Sequence, residues 1–242
     1  MSERTLAFCI AVFNNWSYTR SCIQDLLKLP EDHCIFITDN CSTDETRNLK
    51  EIPGRLYVER LSENKGFGFS SNRSFARAVS MGYENVTFIN NDIKVNAAFD
   101  TWTQPLIASA ARGNIVGPTV GCLDDNLNFI CEAGKLPTKG FWYMSGWNET
   151  ATVETWKKLI PNGCEGPFDN VSFFCYFEDT DLSFRAKMLG IPFEIVQVPA
   201  RHFGKATTKK IGLSKMYPLS KSKFIEMWAN KTDDLNKIKG VK

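Results

Sequence analysis

Apolar and polar positions alternate along this chain in blocks. Leu6 to Phe13 is an unbroken apolar run, the mark of a strand buried on both faces, and Asn14-Asn15-Trp16 ends it. Cys22, Ile23, Leu26 and Leu27 then recur at helical spacing after Ser17, a residue suited to a helix N-cap, and Pro30 stops that helix. Cys34 to Thr38 reads as a second buried strand, closed by Asp39-Asn40-Cys41-Ser42-Thr43-Asp44 and followed by a short helix from Asp44 to about Leu49. Leu56 to Val58 is a third strand and Val86 to Ile89 a fourth. Between them lie Glu63 to Asn72 and a helix through Phe75, Ala76 and Val79. This alternation predicts an α/β fold with an open, mostly parallel central sheet flanked by helices. Ligands of such sheets sit outside the carboxyl ends of the strands, where this chain places Asn14, Asp39, Asn64 and Asp92.

The second half is less regular. The pattern predicts a helix from Phe99 to Ala111 interrupted near Pro105, a strand at Ile115 to Pro118, and short antiparallel strands in the Gly- and aromatic-rich region from Cys122 to Trp147. Trp142, Tyr143, Trp147 and Trp156 cluster there and are read as core, since Trp is highly buried on average. Helices are expected at Val153 to Ile160 and Asp181 to Leu189, a strand at Phe193 to Val198, and a terminal helix at Ser220 to Asn230.

Composition is that of a globular protein, 43% hydrophobic and 23% charged over 242 residues, with a net charge of +2. The charge is uneven. From Lys205 to Lys242 there are ten Lys against three acids, a net of +7, which leaves −5 for the first 204 residues. That basic end reads equally well as a solvated tail and as a surface for phosphate, anionic lipid or an acidic acceptor. The eight cysteines form no Cys-x-x-Cys pair, which argues against a zinc knuckle and for a reduced, cytoplasmic protein. No run approaches the ~20 apolar residues of a membrane helix, so membrane contact is expected to be peripheral at most.

The candidate chemistry lies in Phe173 to Arg185, where an apolar run enters Glu178-Asp179-Thr180-Asp181. Carboxylates packed together beside apolar residues raise one another's pKa and suit acid–base work, although an acidic first helical turn has the same composition. Asn64-x-Gly66-x-Gly68 follows the third strand rather than the first and has Ser71 where a dinucleotide fingerprint has its third glycine. A nicotinamide-type site is therefore disfavoured, and a glycine turn at a helix N-terminus, suited to phosphate, remains. Asp92, at a strand end, suits a hard divalent cation, and His202 follows a later strand.

Taken together, these pieces resemble the GT-A-fold glycosyltransferases of the family-2 type. They run in family order: Phe13-Asn14-Asn15, Thr38 to Asp44, Asn64 to Asn72, Phe88 to Asp92, Tyr176 to Arg185 and Arg201 to Gly204. The resemblance implies a single GT-A domain over residues 1–204, with a nucleotide-sugar half over about 1–118 and an acceptor half over about 119–204, followed by a basic helical tail over 205–242. It further implies an inverting transferase that takes its sugar from a nucleoside-diphosphate sugar. In it Asp179 would be the general base, with Glu178 and Asp181 beside it. Asn14, Asp39, Asn64, Gly66, Asn72 and Asn91 would shape the donor site. Asp92 and His202 would hold Mn²⁺ or Mg²⁺ against the diphosphate, although Asn90 leaves the metal motif with one carboxylate. The acceptor is open, an anionic one such as lipid-linked sugar, polysaccharide or nucleic acid being compatible with the tail. The competing readings are a sugar-nucleotide nucleotidyltransferase, for which the first strand lacks a glycine- and Arg-rich loop, and a nucleic-acid-binding protein, which the acidic cluster disfavours.

Overall fold

The computed structural model describes residues 5–96, 101–204, 215–229 and 231–239. Its main sheet has seven strands in the order β11-β6-β10-β4-β1-β2-β3. These are β1 Leu6–Val12, β2 His33–Asp39, β3 Leu56–Arg60, β4 Asn85–Ile89, β6 Ile115–Gly117, β10 Asn148–Thr152 and β11 Phe193–Ile195. β1 to β4 run parallel, as do β6 and β11; β10 is antiparallel to both of its neighbours. This is the mostly parallel, helix-flanked sheet expected from the sequence, with one reversed strand in its middle.

Strand periodicity sorts the core into two layers. Ala7 and Cys9 of β1, with Cys34 and Phe36 of β2, join the layer on one face; Leu6, Phe8, Ile10, Ile35 and Ile37 join the other. Helix α1 (Trp16–Leu26) adds Cys22, Ile23 and Leu26 to the second layer, and α3 (Thr103–Ala110) adds Leu106 and Ala110. The first layer takes Phe75 from α2 (Phe67–Ser80), Trp156 from α4 (Val153–Lys157) and Leu182 from α5 (Glu178–Met188). Pro105 falls in the first turn of α3, where the missing N–H costs no helical bond, so it does not interrupt the helix. The expected beginning of that helix at Phe99 lies outside the described residues.

Two small sheets complete the site side. Strands β7 (Val120–Leu123), β8 (Phe129–Ala133) and β9 (Phe141–Met144) form an antiparallel sheet in the order β8-β7-β9. Strands β5 (Ile93–Val95) and β12 (Ala200–His202) form an antiparallel ribbon, so His202 lies within a strand paired directly to Ile93. After residue 215 come α6 (Met216–Ala229) and α7 (Thr232–Ile238). Phe224, Trp228 and Ile238 are buried with Phe173, Phe177 and Phe184. The terminal helix expected from Ser220 is therefore present and begins one turn earlier; Phe224 and Trp228, four residues apart on one helical face, seat it on the segment that leads into α5. Residues 205–214 of the basic segment, and Asn230 at the end of the expected terminal helix, lie outside the described residues. No helix among the described residues is long and apolar enough to cross a membrane.

Candidate active site

The acidic stretch forms the start of α5. The chain enters it through Tyr176 and Phe177, both in the left-handed region at φ 68° and 71°. Two successive bulky residues there are a strained arrangement, held in place by buried aromatic contacts such as Phe177 on Phe224 at 5.1 Å. The first turn carries Glu178, Asp179 and Asp181, as a helix N-terminus favours.

The three acids have different fates. Asp181 is 1% exposed and uses both oxygens: Oδ2 accepts from Arg185 Nε at 2.7 Å and Oδ1 from Trp228 Nε1 at 3.0 Å. It ties α6 to α5. Glu178 is 4% exposed and its Oε1 has no partner among the described groups. Burial, with a smaller push from the Asp179 charge, raises its pKa to about 8. Asp179 is half-buried. Its Oδ2 accepts from the Gly146 N–H at 3.1 Å, and its Oδ1 from the Thr180 N–H at 2.7 Å. Burial raises it to about 6 against the pull of those hydrogen bonds. Of the three, Asp179 is the one that is both ionised near neutrality and reachable.

Gly146 belongs to the turn between β9 and β10, and the next residue faces the second centre. Trp147 stacks on the imidazole of His202, with ring centroids 5.2 Å apart and an interplanar angle of 12°. The Trp147 carbonyl also accepts from the Asn90 N–H at 3.0 Å, which fixes the end of β4. His202 Nε2 stands 3.2 Å from Asp92 Oδ1, and the Asp92 carbonyl accepts from the Phe203 N–H. Thus one turn holds Asp179 through Gly146 and the Asp92–His202 pair through Trp147. The sequence-predicted base and metal residues are brought to the two sides of that turn.

Asp92 and His202 fit a hard divalent cation as two adjacent ligands. Two ligands at about 2.1 Å and at right angles stand about 3 Å apart, close to the separation seen. Mn²⁺ or Mg²⁺ held by one carboxylate and one imidazole keeps its other positions for phosphate oxygens and water. Among the described residues no group of three His, Cys, Asp or Glu could hold a metal without such help.

The residues expected around the donor are largely braced within the protein. Asn14 sits at φ 57°, and its side-chain oxygen accepts from the Thr43 and Asp44 N–H groups. Asp39 Oδ1 accepts from the Ser42 N–H, and Oδ2 pairs with Arg60 at 2.9 Å. Asn64 closes a tight turn by accepting from the Gly66 N–H. Gly66 has φ 90°, and a Cβ there would lie 2.1 Å from the Phe174 carbonyl oxygen, so only glycine fits. Asn72 binds Phe168 and Asn170 across to the loop before the acidic stretch. Asn91 donates to Thr19 Oγ1 at 2.8 Å. These contacts brace the strand ends; Asn72 is engaged through both its amide nitrogen and its oxygen, Asn91 through its nitrogen.

Sequence reasoning missed three contributors. Gly146 carries no signal of its own in the sequence; Trp147 is buried with the core, as expected, but its ring also stacks on His202, which the core reading does not foresee. Glu149, on β10, is fully buried with neither oxygen partnered among the described groups. Burial, and then the Asp179 charge, hold its carboxyl well above the usual range. No local pattern marks it, because Asn-Glu-Thr-Ala-Thr has no strand-like apolar run.

A mostly parallel, helix-flanked sheet with polar strand ends is the GT-A class of α/β fold. The family model described as glycosyl transferase family 2 matches residues 7–141, and the chain belongs to that family. Asp179 and His202 lie C-terminal to the matched span. A search of curated proteins found no match. Among solved structures, the mannosyltransferase PcManGT from Pyrobaculum calidifontis, in complex with GDP-Man and Mn²⁺, is similar over 80% of this chain and 55% of its own, with 13% identity and a TM-score of 0.55. GalNAc-T7 with UDP, GalNAc and Mn²⁺ is similar over 82% and 43%, at 15% identity and a TM-score of 0.63. TarS 1–349 of S. aureus in complex with UDP-GlcNAc is similar over 80% and 56%, at 16% identity and a TM-score of 0.53. The chain therefore spans about half the length of these structures.

Proposed function

We propose that the chain transfers a sugar from a nucleoside-diphosphate sugar to an acceptor hydroxyl, with inversion at the anomeric carbon. The carrying observation is the Ser145–Trp147 turn, which holds a carboxylate raised to about 6 on one side and the Asp92–His202 pair on the other. Family membership and the nucleotide sugars bound by the similar structures support the donor class.

Asp179 takes the proton of the acceptor hydroxyl as its oxygen attacks the sugar from the face opposite the leaving diphosphate. A base with a pKa of about 6 is ionised at neutral pH yet still binds the proton it removes. The Gly146 N–H fixes Oδ2, so the carboxylate does not swing away as it is protonated. Glu178, neutral below its pKa of about 8, adds no second charge beside it. Asp92 and His202 would hold Mn²⁺ or Mg²⁺, which when bound supplies charge neutralisation for the diphosphate. The glycine turn at Gly66 opens α2, and the first N–H of that helix, from Phe67, donates to the Phe174 carbonyl at 3.0 Å, which ties the turn to the segment leading into α5.

The test is thermal stabilisation by a panel of nucleoside-diphosphate sugars, each with and without Mn²⁺. A donor should raise Tm with the logarithm of its concentration above Kd, and Asp92→Asn should remove the Mn²⁺-dependent part. No shift with any member of the panel would overturn the reading.

A further inference from the structure

Two thiols outside this site face each other across a sheet. Cys122 of β7 and Cys131 of β8 are directly opposed in an antiparallel pair, which puts their side chains on the same face of the sheet. Opposed residues of such a pair have Cα atoms about 4.5–5.5 Å apart. That lies inside the window of about 4.4–6.8 Å that disulfides span, so closing a bond needs no large backbone movement. The register shifts between Cys122 and Leu123, and an irregularity of that kind adds local twist. Cys131 is exposed and Cys122 partly so, which gives a solution reagent access. Cys9 and Cys34 also feel one another electrostatically, but both are fully buried on adjacent central strands.

The next residue connects the pair to the site. Glu132 accepts a hydrogen bond from Trp147 Nε1 at 2.9 Å and another from Thr119 Oγ1. Trp147 in turn stacks on His202. We propose that Cys122 and Cys131 are a reversible dithiol–disulfide site, closed by a small-molecule disulfide, whose state is transmitted through Glu132 and Trp147 to the imidazole of His202.

The chemistry balances as two exchanges. The Cys131 thiolate attacks one sulfur of the small disulfide, forms a mixed disulfide and expels one small thiolate. The Cys122 thiolate then attacks the Cys131 sulfur, forms the internal bond and expels the second. The protein loses two protons and two electrons, and the reagent is reduced to two thiols. Burial, and then the neighbouring Cys131 thiol, hold the Cys122 thiol above its ordinary pKa. The first exchange removes the Cys131 part of that effect, so Cys122 becomes the better nucleophile once Cys131 is capped. A dithiol reductant reverses both steps.

The test treats the full chain with oxidised glutathione. Intact mass, peptide mapping and the histidine Cε1–H proton resonances are then recorded. The chain has two histidines, and His33 lies apart with its ring on Asp32 and Thr103. A His202→Gln variant therefore assigns both resonances. The expected result is loss of two hydrogens of mass with no adduct at this pair, and a peptide joining residues 122 and 131. Cys122→Ser should instead accumulate a glutathione adduct at Cys131. The His202 resonance should move on oxidation, because the ring current of Trp147 acts on it, and return with dithiothreitol while His33 stays in place. Glutathione adducts at Cys131 in the wild-type chain, or a bond mapped to other cysteines, would overturn the site. A bond that forms with the His202 resonance unmoved would overturn its transmission.

Discussion

Glu178→Gln isolates the buried acid beside the proposed base. The substitution keeps shape and hydrogen-bonding capacity and removes the titration. In the folded chain the Glu178 pKa is about 8, against an ordinary value of 4.5 that the unfolded chain should show. Between those values the folded state holds a proton that the unfolded state has released. Stability contributed by this group is therefore greatest below about pH 4.5 and falls as pH rises toward 8, by up to about 1.4 kcal/mol per unit. At pH 7 the loss is on the order of 3 kcal/mol, and it needs no discount for solvent because the side chain is 4% exposed. Urea unfolding of wild type and variant at pH values from about 5 to 8 measures it. The other raised carboxyls, Glu149 and Asp179, titrate in both proteins and largely cancel in the difference. The variant should gain on the wild type by several kcal/mol across the range. Parallel stability curves would show that Glu178 is ionised in the folded state and that Asp179 has a second negative charge beside it.

Asp181→Ala should act on stability rather than on chemistry. It leaves Arg185 and Trp228 Nε1 without their shared acceptor in a site 1% exposed, at a cost of about 3–5 kcal/mol read from urea midpoints. Gly146→Ala should do the reverse. A Cβ there would stand 3.0 Å from the Asp179 Cβ and 3.2 Å from its Oδ2, so the carboxylate must shift. Turnover should fall by about 10²-fold with donor KM little changed, since small misplacements of a reacting group are costly.

The parallel half of the fold was legible because its strands are buried on both faces. Leu6 to Phe13 and Cys34 to Thr38 cannot be surface segments, and the helices between them carry a clear 3.6-residue spacing. Strand β10 was not legible. Its Asn148, Glu149 and Thr150 are wholly buried, yet they are polar in sequence, and tertiary pairing with β4 overrides their propensity. That strand follows the Gly146–Trp147 turn, so the physical link between Asp179 and His202 was hidden with it. The acidic stretch was visible as a cluster, but sequence could not say that Asp181 is tied to Trp228 of α6 while Asp179 is held by the Gly146 N–H and left half-buried. Helix α6 was legible from Ser220 onward, but not its docking: its apolar stripe is short, and what it covers is set by the aromatic run it meets.

Asp179→Asn compared with wild type is the most direct measurement. Sugar transfer from the donor found by the nucleotide-sugar panel is followed as kcat/KM against pH, with donor Kd measured alongside. The account predicts a wild-type acid limb with a pKa of about 6, falling tenfold per unit below it. The variant should retain donor affinity within a few-fold and lose at least about 10²-fold in turnover, the scale of general-base catalysis. Near-normal transfer by Asp179→Asn, with the same acid limb, would contradict the assignment of the base.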